Sequence, residues 1–175
     1  MKKLILQRAR GIRLAIFDVD GVLTDGTIYL SDAGEVFKAF HILDGLGLKM
    51  LRESGVQLAI LSGRKSAAVT IRARETGIAH VLQGVEDKLS TYRKLLRRLH
   101  LDEQEAAFMG DDLPDLPVLR ACGLALSVPA APELVRKHAH YVTERTGGKG
   151  AVREAAELIM YAQGTLDAQI GSYLQ

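Results

Sequence analysis

The stretch IRLAIFDVDGVLTDG, residues 12–26, decides how the chain is read. LAIFDV is a short unbroken apolar run, as expected of a strand covered on both faces. It runs into two carboxylates, Asp18 and Asp20, spaced two positions apart, where the chain meets a glycine-containing turn. Isolated acids at the rim of an apolar core are costly. Turn and cap roles are one explanation; a bound cation with chemistry attached is the other.

Outward from this stretch, apolar runs alternate with amphipathic ones. VQLAIL, HVLQ, EAAFMG, LALSVP and HYVT read as further strands. Helices are expected over DGLGLKMLRESG, KSAAVTIRARETG, DKLSTYRKLLRRLHL, PDLPVLRACG, APELVRKHA and GAVREAAELIMYAQG. Strand–helix alternation of this length predicts a three-layer, Rossmann-like α/β domain with a mostly parallel sheet. TIYLSDAGEVFKAF, residues 27–40, breaks the rhythm and reads as an inserted β-hairpin. The tail, residues 164–175, reads as a frayed end. The expectation is one domain over residues 1–175.

Bulk properties narrow the function. The chain has 175 residues, 47% of them hydrophobic, and a net charge of +2 from 23 basic and 21 acidic side chains. Charges are interspersed, aromatics are 5% and tryptophan is absent, which argues against nucleic-acid binding. The single cysteine, Cys122, excludes an internal disulfide and fits a reducing compartment. No run approaches the roughly 20 apolar residues of a membrane span, and MKKLILQRARG is too weakly apolar for a signal peptide. A cytoplasmic protein is expected.

In open α/β sheets, ligands bind beyond the carboxyl ends of the strands. Asp18 and Asp20 follow the first strand, Ser62, Gly63 and Arg64 the second, and Asp111 and Asp112 the run EAAFMG; Lys88 opens a helix. Each alone has an ordinary structural explanation. Their ordered recurrence at one sheet edge has one chemical reading, phosphoryl transfer from a monoester. A divalent cation removes the repulsion between a carboxylate nucleophile and a phosphate dianion. Mg²⁺ suits an oxygen-only site drawn from Asp18, Asp111 and a carbonyl near Asp20. Ser62, backbone N–H groups near Gly63 at a helix start, and Lys88 supply donors to phosphate oxygens. Asp20 can act as acid and then base.

FDVDGVLTDG, LSGR, Lys88 and GDDLPD together resemble the four motifs of the haloacid dehalogenase superfamily of phosphohydrolases. The resemblance implies Asp18 as nucleophile, Asp20 as acid/base, Ser62 and Lys88 as phosphate ligands, and Mg²⁺ on Asp18, Asp20 and Asp111. It gives Asp115, with Asp112, a role in orienting Lys88 or a metal-bound water. GEVFKAFHILDGLGLKML, ILSGRK and TERTGGKGAVREAAELI further resemble the family of 3-deoxy-D-manno-octulosonate 8-phosphate phosphatases, which supply free Kdo for bacterial lipopolysaccharide. Phosphatases for nine-carbon, sialic-acid-type 9-phosphates share much of this pattern.

The gaps between motifs leave no room for a cap domain. The family resemblance implies a homotetramer in which a neighbour's hairpin closes the site, with Ile28, Tyr29, Val36 and Phe37 meeting another chain. It also implies sugar contacts from the loop His41, Ile42, Leu43, Asp44 and Gly45. Lys49, Arg64 and Arg72 are the candidate cations for the sugar carboxylate, Arg64 the strongest. Two other classes compete. A receiver domain would place its lysine last, whereas Lys88 precedes Asp111; an idle scaffold would lack some of the acids that are present here.

Overall fold

A computed structural model describes residues 2–174, and for Lys2, Glu35 and Val36 the backbone alone. The expectation for the Val36 side chain therefore lies outside the described residues. The chain opens with α1 (Lys2–Arg10), a helix the sequence reading did not assign. Strand β1 (Leu14–Phe17) follows and is buried throughout. It ends one residue before Asp18, so the acid pair lies in the turn beyond it. That turn, Val19–Leu23, breaks at Asp20 and at Gly21, whose φ of 94° is open to glycine. Next come β2 (Tyr29–Ser31) and β3 (Gly34–Phe37), an antiparallel pair separate from the main sheet.

The remainder alternates: α2 (Ile42–Glu53), β4 (Gln57–Ser62), α3 (Ala67–Thr76), β5 (His80–Gln83), α4 (Lys88–Leu99), β6 (Ala106–Met109), α5 (Leu116–Ala121), β7 (Leu124–Ser127), α6 (Glu133–His138), β8 (Tyr141–Val142) and α7 (Ala151–Gln163). A short α8 (Leu166–Gly171) occupies much of the tail that reads as frayed in the sequence. The six-stranded sheet has the order β5-β4-β1-β6-β7-β8, and every neighbouring pair is parallel.

This order follows from chain connectivity. Right-handed crossovers from β1 to β4 and then β5 put α2 and α3 on one face. The chain then returns across β1, and the same handedness puts α4, α5 and α6 on the other. Helix α7 packs beside α2 and α1, completing three layers. The direction of winding reverses between β1 and β6, where an open α/β sheet leaves its crevice. Residues 14–17 pair in register with 106–109, and Asp18 N–H donates to Met109 O at 2.9 Å. The ends of the two strands are thus tied together, and Asp18 and Asp111 emerge side by side.

Candidate active site

The crevice is a cleft of about 350 Å³ that Asp18, Asp20, Ser62, Arg64, Lys88 and Asp111 line, with Gly63, Asp112 and Asp115 also on its walls. These are the residues the sequence places at the strand ends. Lys88, the first residue of α4, is buried, and its Nζ donates to Asp18 Oδ1 at 2.7 Å and to Asp115 Oδ1 at 2.6 Å. Asp115 Oδ2 accepts from the backbone N–H groups of Asp111 (3.0 Å) and Asp112 (3.2 Å). Both Asp115 oxygens are therefore engaged, and the residue ties Lys88 to the loop that carries Asp111. Asp112 caps the turn Leu113–Asp115 by accepting from Leu113 N–H.

Carboxylate oxygens of Asp18, Asp111 and Asp115 lie within 4.8 Å of one another. Such crowding disfavours ionisation. Burial pushes the Asp18 carboxyl up to about 6, with Lys88 opposing and Asp115 reinforcing the shift. Burial, then Asp18, Asp115 and Asp112, push Asp111 up to about 7. For Lys88, burial works against the ammonium, but Asp18 and Asp115 outweigh it and its pKa rises. Asp111 Oδ1 is buried with no hydrogen-bond partner. An orphaned carboxylate oxygen, neighbouring acids starved of countercharge and an all-oxygen donor set fit a hard divalent cation such as Mg²⁺. Asp18 and Asp111 have the capacity to hold it, since Asp115 is used twice over.

Asp20 faces the other side of the cleft. Its Oδ1 accepts from Lys38 Nζ, and its Oδ2 is 3.9 Å from Arg64 Nε. Its carboxylate does not join the three-acid cluster, which leaves the backbone carbonyl as its route to a metal. Ser62 ends β4, and its hydroxyl accepts from Arg64 N–H at 3.3 Å. The following helix, α3, starts only at Ala67. Gly63 N–H thus belongs to a loop, and the helix start expected at that position lies further on.

The expected sugar contacts sit elsewhere. His41 caps α2, its Nδ1 accepting from Leu43 N–H, and its carbonyl accepts from Arg72 Nη2 at 2.9 Å. Gly45 gives Arg72 room: a Cβ there would stand 2.2 Å from Nη2. Asp44 is buried and turned inward, accepting from Gly150 N–H (3.1 Å) and Arg153 N–H (2.8 Å), so it caps α7 from another helix. Ile42, Leu43 and Lys49 are exposed. None of these residues lines the cleft of the single chain.

Two contributions escaped the sequence reading. Lys38, directly after β3, pairs with Asp20. The TGGKG segment, residues 146–150, packs on the acidic turn: Gly148 N–H donates to Val22 O at 3.0 Å, and a Cβ at Gly147 would come within 1.8 Å of Gly21 O. The clustered glycines were the available signal for that close approach; Lys38 offered none.

Comparison with known proteins agrees with this geometry. Residues 66–154 match the family of haloacid dehalogenase-like hydrolases. The chain is 45% identical to 3-deoxy-D-manno-octulosonate 8-phosphate phosphatase of Yersinia pestis, over 95% of this chain and 89% of that one. A Moraxella catarrhalis enzyme of the same name, solved with a magnesium ion, a phosphate ion and a KDO molecule, matches with a TM-score of 0.94 and 47% identity, covering 97% of each chain. The cobalt-bound deoxy-D-mannose-octulosonate 8-phosphate phosphatase of Haemophilus influenzae matches with a TM-score of 0.92 and 37% identity, over 97% of this chain and 100% of that one. The chain belongs to the haloacid dehalogenase-like hydrolases, in the family of the 3-deoxy-D-manno-octulosonate 8-phosphate phosphatases.

Proposed function

We propose that the protein hydrolyses 3-deoxy-D-manno-octulosonate 8-phosphate to Kdo and inorganic phosphate through a phosphorylated Asp18. The observation that carries this reading is the knot of Asp18, Lys88, Asp115 and Asp111 at the β1/β6 crevice. It gathers a nucleophile, a fixed cation and, in Asp111, a carboxylate with an unpartnered oxygen around one point. Mg²⁺, when held by Asp18 and Asp111 with the Asp20 carbonyl, neutralises the phosphate and removes its repulsion from the nucleophile.

The chain's own groups do the rest. Lys88 holds Asp18 through one oxygen and presents a positive charge to the phosphoryl group. Ser62 and the N–H groups of the Gly63 loop donate to its outer oxygens. The Asp18 carboxylate attacks phosphorus, and Asp20 gives a proton to the departing 8-oxygen. Asp20 then takes a proton from the water that cleaves the aspartyl phosphate. Asp115 orients Lys88 and the Asp111 backbone and leaves the transfer itself to others. Arg64, half-exposed at the mouth, suits the sugar-acid carboxylate.

The active form in this reading is a homotetramer of single-domain chains in the cytoplasm, with the hairpin of one chain over the cleft of another. Supporting this, the stacked rings of Tyr29 and Phe37 are exposed, and Leu30 is 68% exposed. Among the described residues no helix is long and apolar enough to cross a membrane. The deciding experiment compares phosphate release from eight-carbon 8-phosphate and nine-carbon 9-phosphate 3-deoxy sugar acids. A higher kcat/KM for the eight-carbon ester is expected; preference for the nine-carbon ester overturns the named substrate.

A further inference from the structure

Lys38 lies outside the four motifs, on the short link between the hairpin and α2. Its side chain is 2% exposed, against 20% for its partner Asp20, and its ammonium donates to Asp20 Oδ1. An ammonium withdrawn this far from water is tolerated where it is paired, so this contact belongs to the built structure of the site. The opposite oxygen, Asp20 Oδ2, lies on the side of Arg64, beyond hydrogen-bond reach at 3.9 Å.

The donor inventory then discriminates between the two oxygens. An ammonium offers only donors, and a protonated carboxyl carries its hydrogen on one oxygen. While Oδ1 accepts from Lys38, the proton of the acid form resides on Oδ2. We infer that Lys38 is a positioning residue for Asp20, holding Oδ1 as a permanent acceptor and making Oδ2 the atom that exchanges the proton. As the bond from phosphorus to the bridging oxygen breaks, the Oδ2 proton passes to that oxygen. In the second half-reaction Oδ2 recovers a proton from the attacking water. The bond to Oδ1 survives both halves, so the carboxylate does not rotate between its two tasks. Proton transfer depends on donor and acceptor staying within hydrogen-bond reach, and a carboxylate loose on a turn with glycine beside it would lose that reach. The link that follows the hairpin thereby contributes to the chemistry of its own chain.

This inference rests on the phosphatase reading above, and the test separates the two. Benzyl phosphate and p-nitrophenyl phosphate are aromatic esters of similar size without sugar contacts. Benzyl alkoxide needs a proton to leave, whereas p-nitrophenolate leaves without one. Values of kcat/KM, which report events up to leaving-group departure, are measured for both esters with wild type, Lys38→Met, Lys38→Arg and Asp20→Asn. Lys38→Met is expected to lose about tenfold more on benzyl phosphate than on p-nitrophenyl phosphate, a fraction of the ~10²–10⁴ that general acids supply. Asp20→Asn should show the same asymmetry more strongly, and Lys38→Arg should restore part of it. The ratio between esters is independent of the fraction of folded enzyme. Equal losses on both esters, or no loss, overturn the inference while the phosphatase reading stands. The wild type is assayed on 3-deoxy-D-manno-octulosonate 8-phosphate alongside, and no phosphate release from that ester overturns the phosphatase reading, and this inference with it.

Discussion

Asp18 and Asp111 are acids that the fold makes uncomfortable. Their carboxyls titrate at about 6 and about 7 instead of 3.8 because burial and neighbouring acids oppose the charge. A raised acid stabilises the fold fully below its unfolded value, and that contribution is lost as the pH climbs through its folded value. Between about 4 and about 7, then, the metal-free site loses stability as pH rises. A cation held by the same oxygens competes with those protons. The gain in melting temperature from Mg²⁺, relative to chelated protein, should be small near about pH 5 and grow through about pH 7. A gain that does not vary with pH would contradict the assignment of these two acids to the metal. Most of this scale was legible in the chain. Acids, hydroxyl and lysine at the ends of apolar runs have few other uses once the sheet is recognised. The different uses of Asp115, bonded on both oxygens, and Asp111, which keeps one unpaired, were implied by the family resemblance alone, because nothing local distinguishes the two acids.

At the scale of elements, Asp44 is the instructive case. Its sequence position, in a loop resembling one that touches sugar, pointed to binding. The side chain instead satisfies two N–H groups at the start of α7, more than a hundred residues away. That partnership depends on α2 and α7 lying side by side, which no local pattern encodes. Asp44→Ala should leave both N–H groups without their acceptor and cost about 1–3 kcal/mol, read as a lower urea midpoint. An unchanged midpoint would contradict the capping role. Strands were the most legible elements, because burial on both faces writes an uninterrupted apolar run. Helix α1 was obscured by its alternation of charge and apolar residues. Its Ile5 and Ala9 are buried, yet Leu4 is exposed, so its inward face emerges only on packing against α7. Helix α8 is a short six-residue turn and left no periodic signal.

For the whole molecule, the winding reversal between β1 and β6 does the decisive work. It brings loops from distant parts of the chain to one crevice, as the topology of open parallel sheets requires. The same topology leaves the hairpin outside the sheet with apolar side chains in water. Exposed Tyr29 and Phe37 predict self-association: the wild type should run well above 19.1 kDa in size-exclusion chromatography with light scattering, and Tyr29→Ser with Phe37→Ser should shift it toward the monomer. A wild type that stays monomeric at micromolar concentration would contradict the shared-site assembly.

The central claim is that Asp18 attacks a phosphate monoester beside a divalent cation. It is tested most directly by phosphate release from 3-deoxy-D-manno-octulosonate 8-phosphate, with Mg²⁺ and after chelation, by wild type and by folded Asp18→Asn. Turnover is expected only in the wild type with Mg²⁺. Undiminished release by Asp18→Asn, or by chelated wild type, would contradict the account.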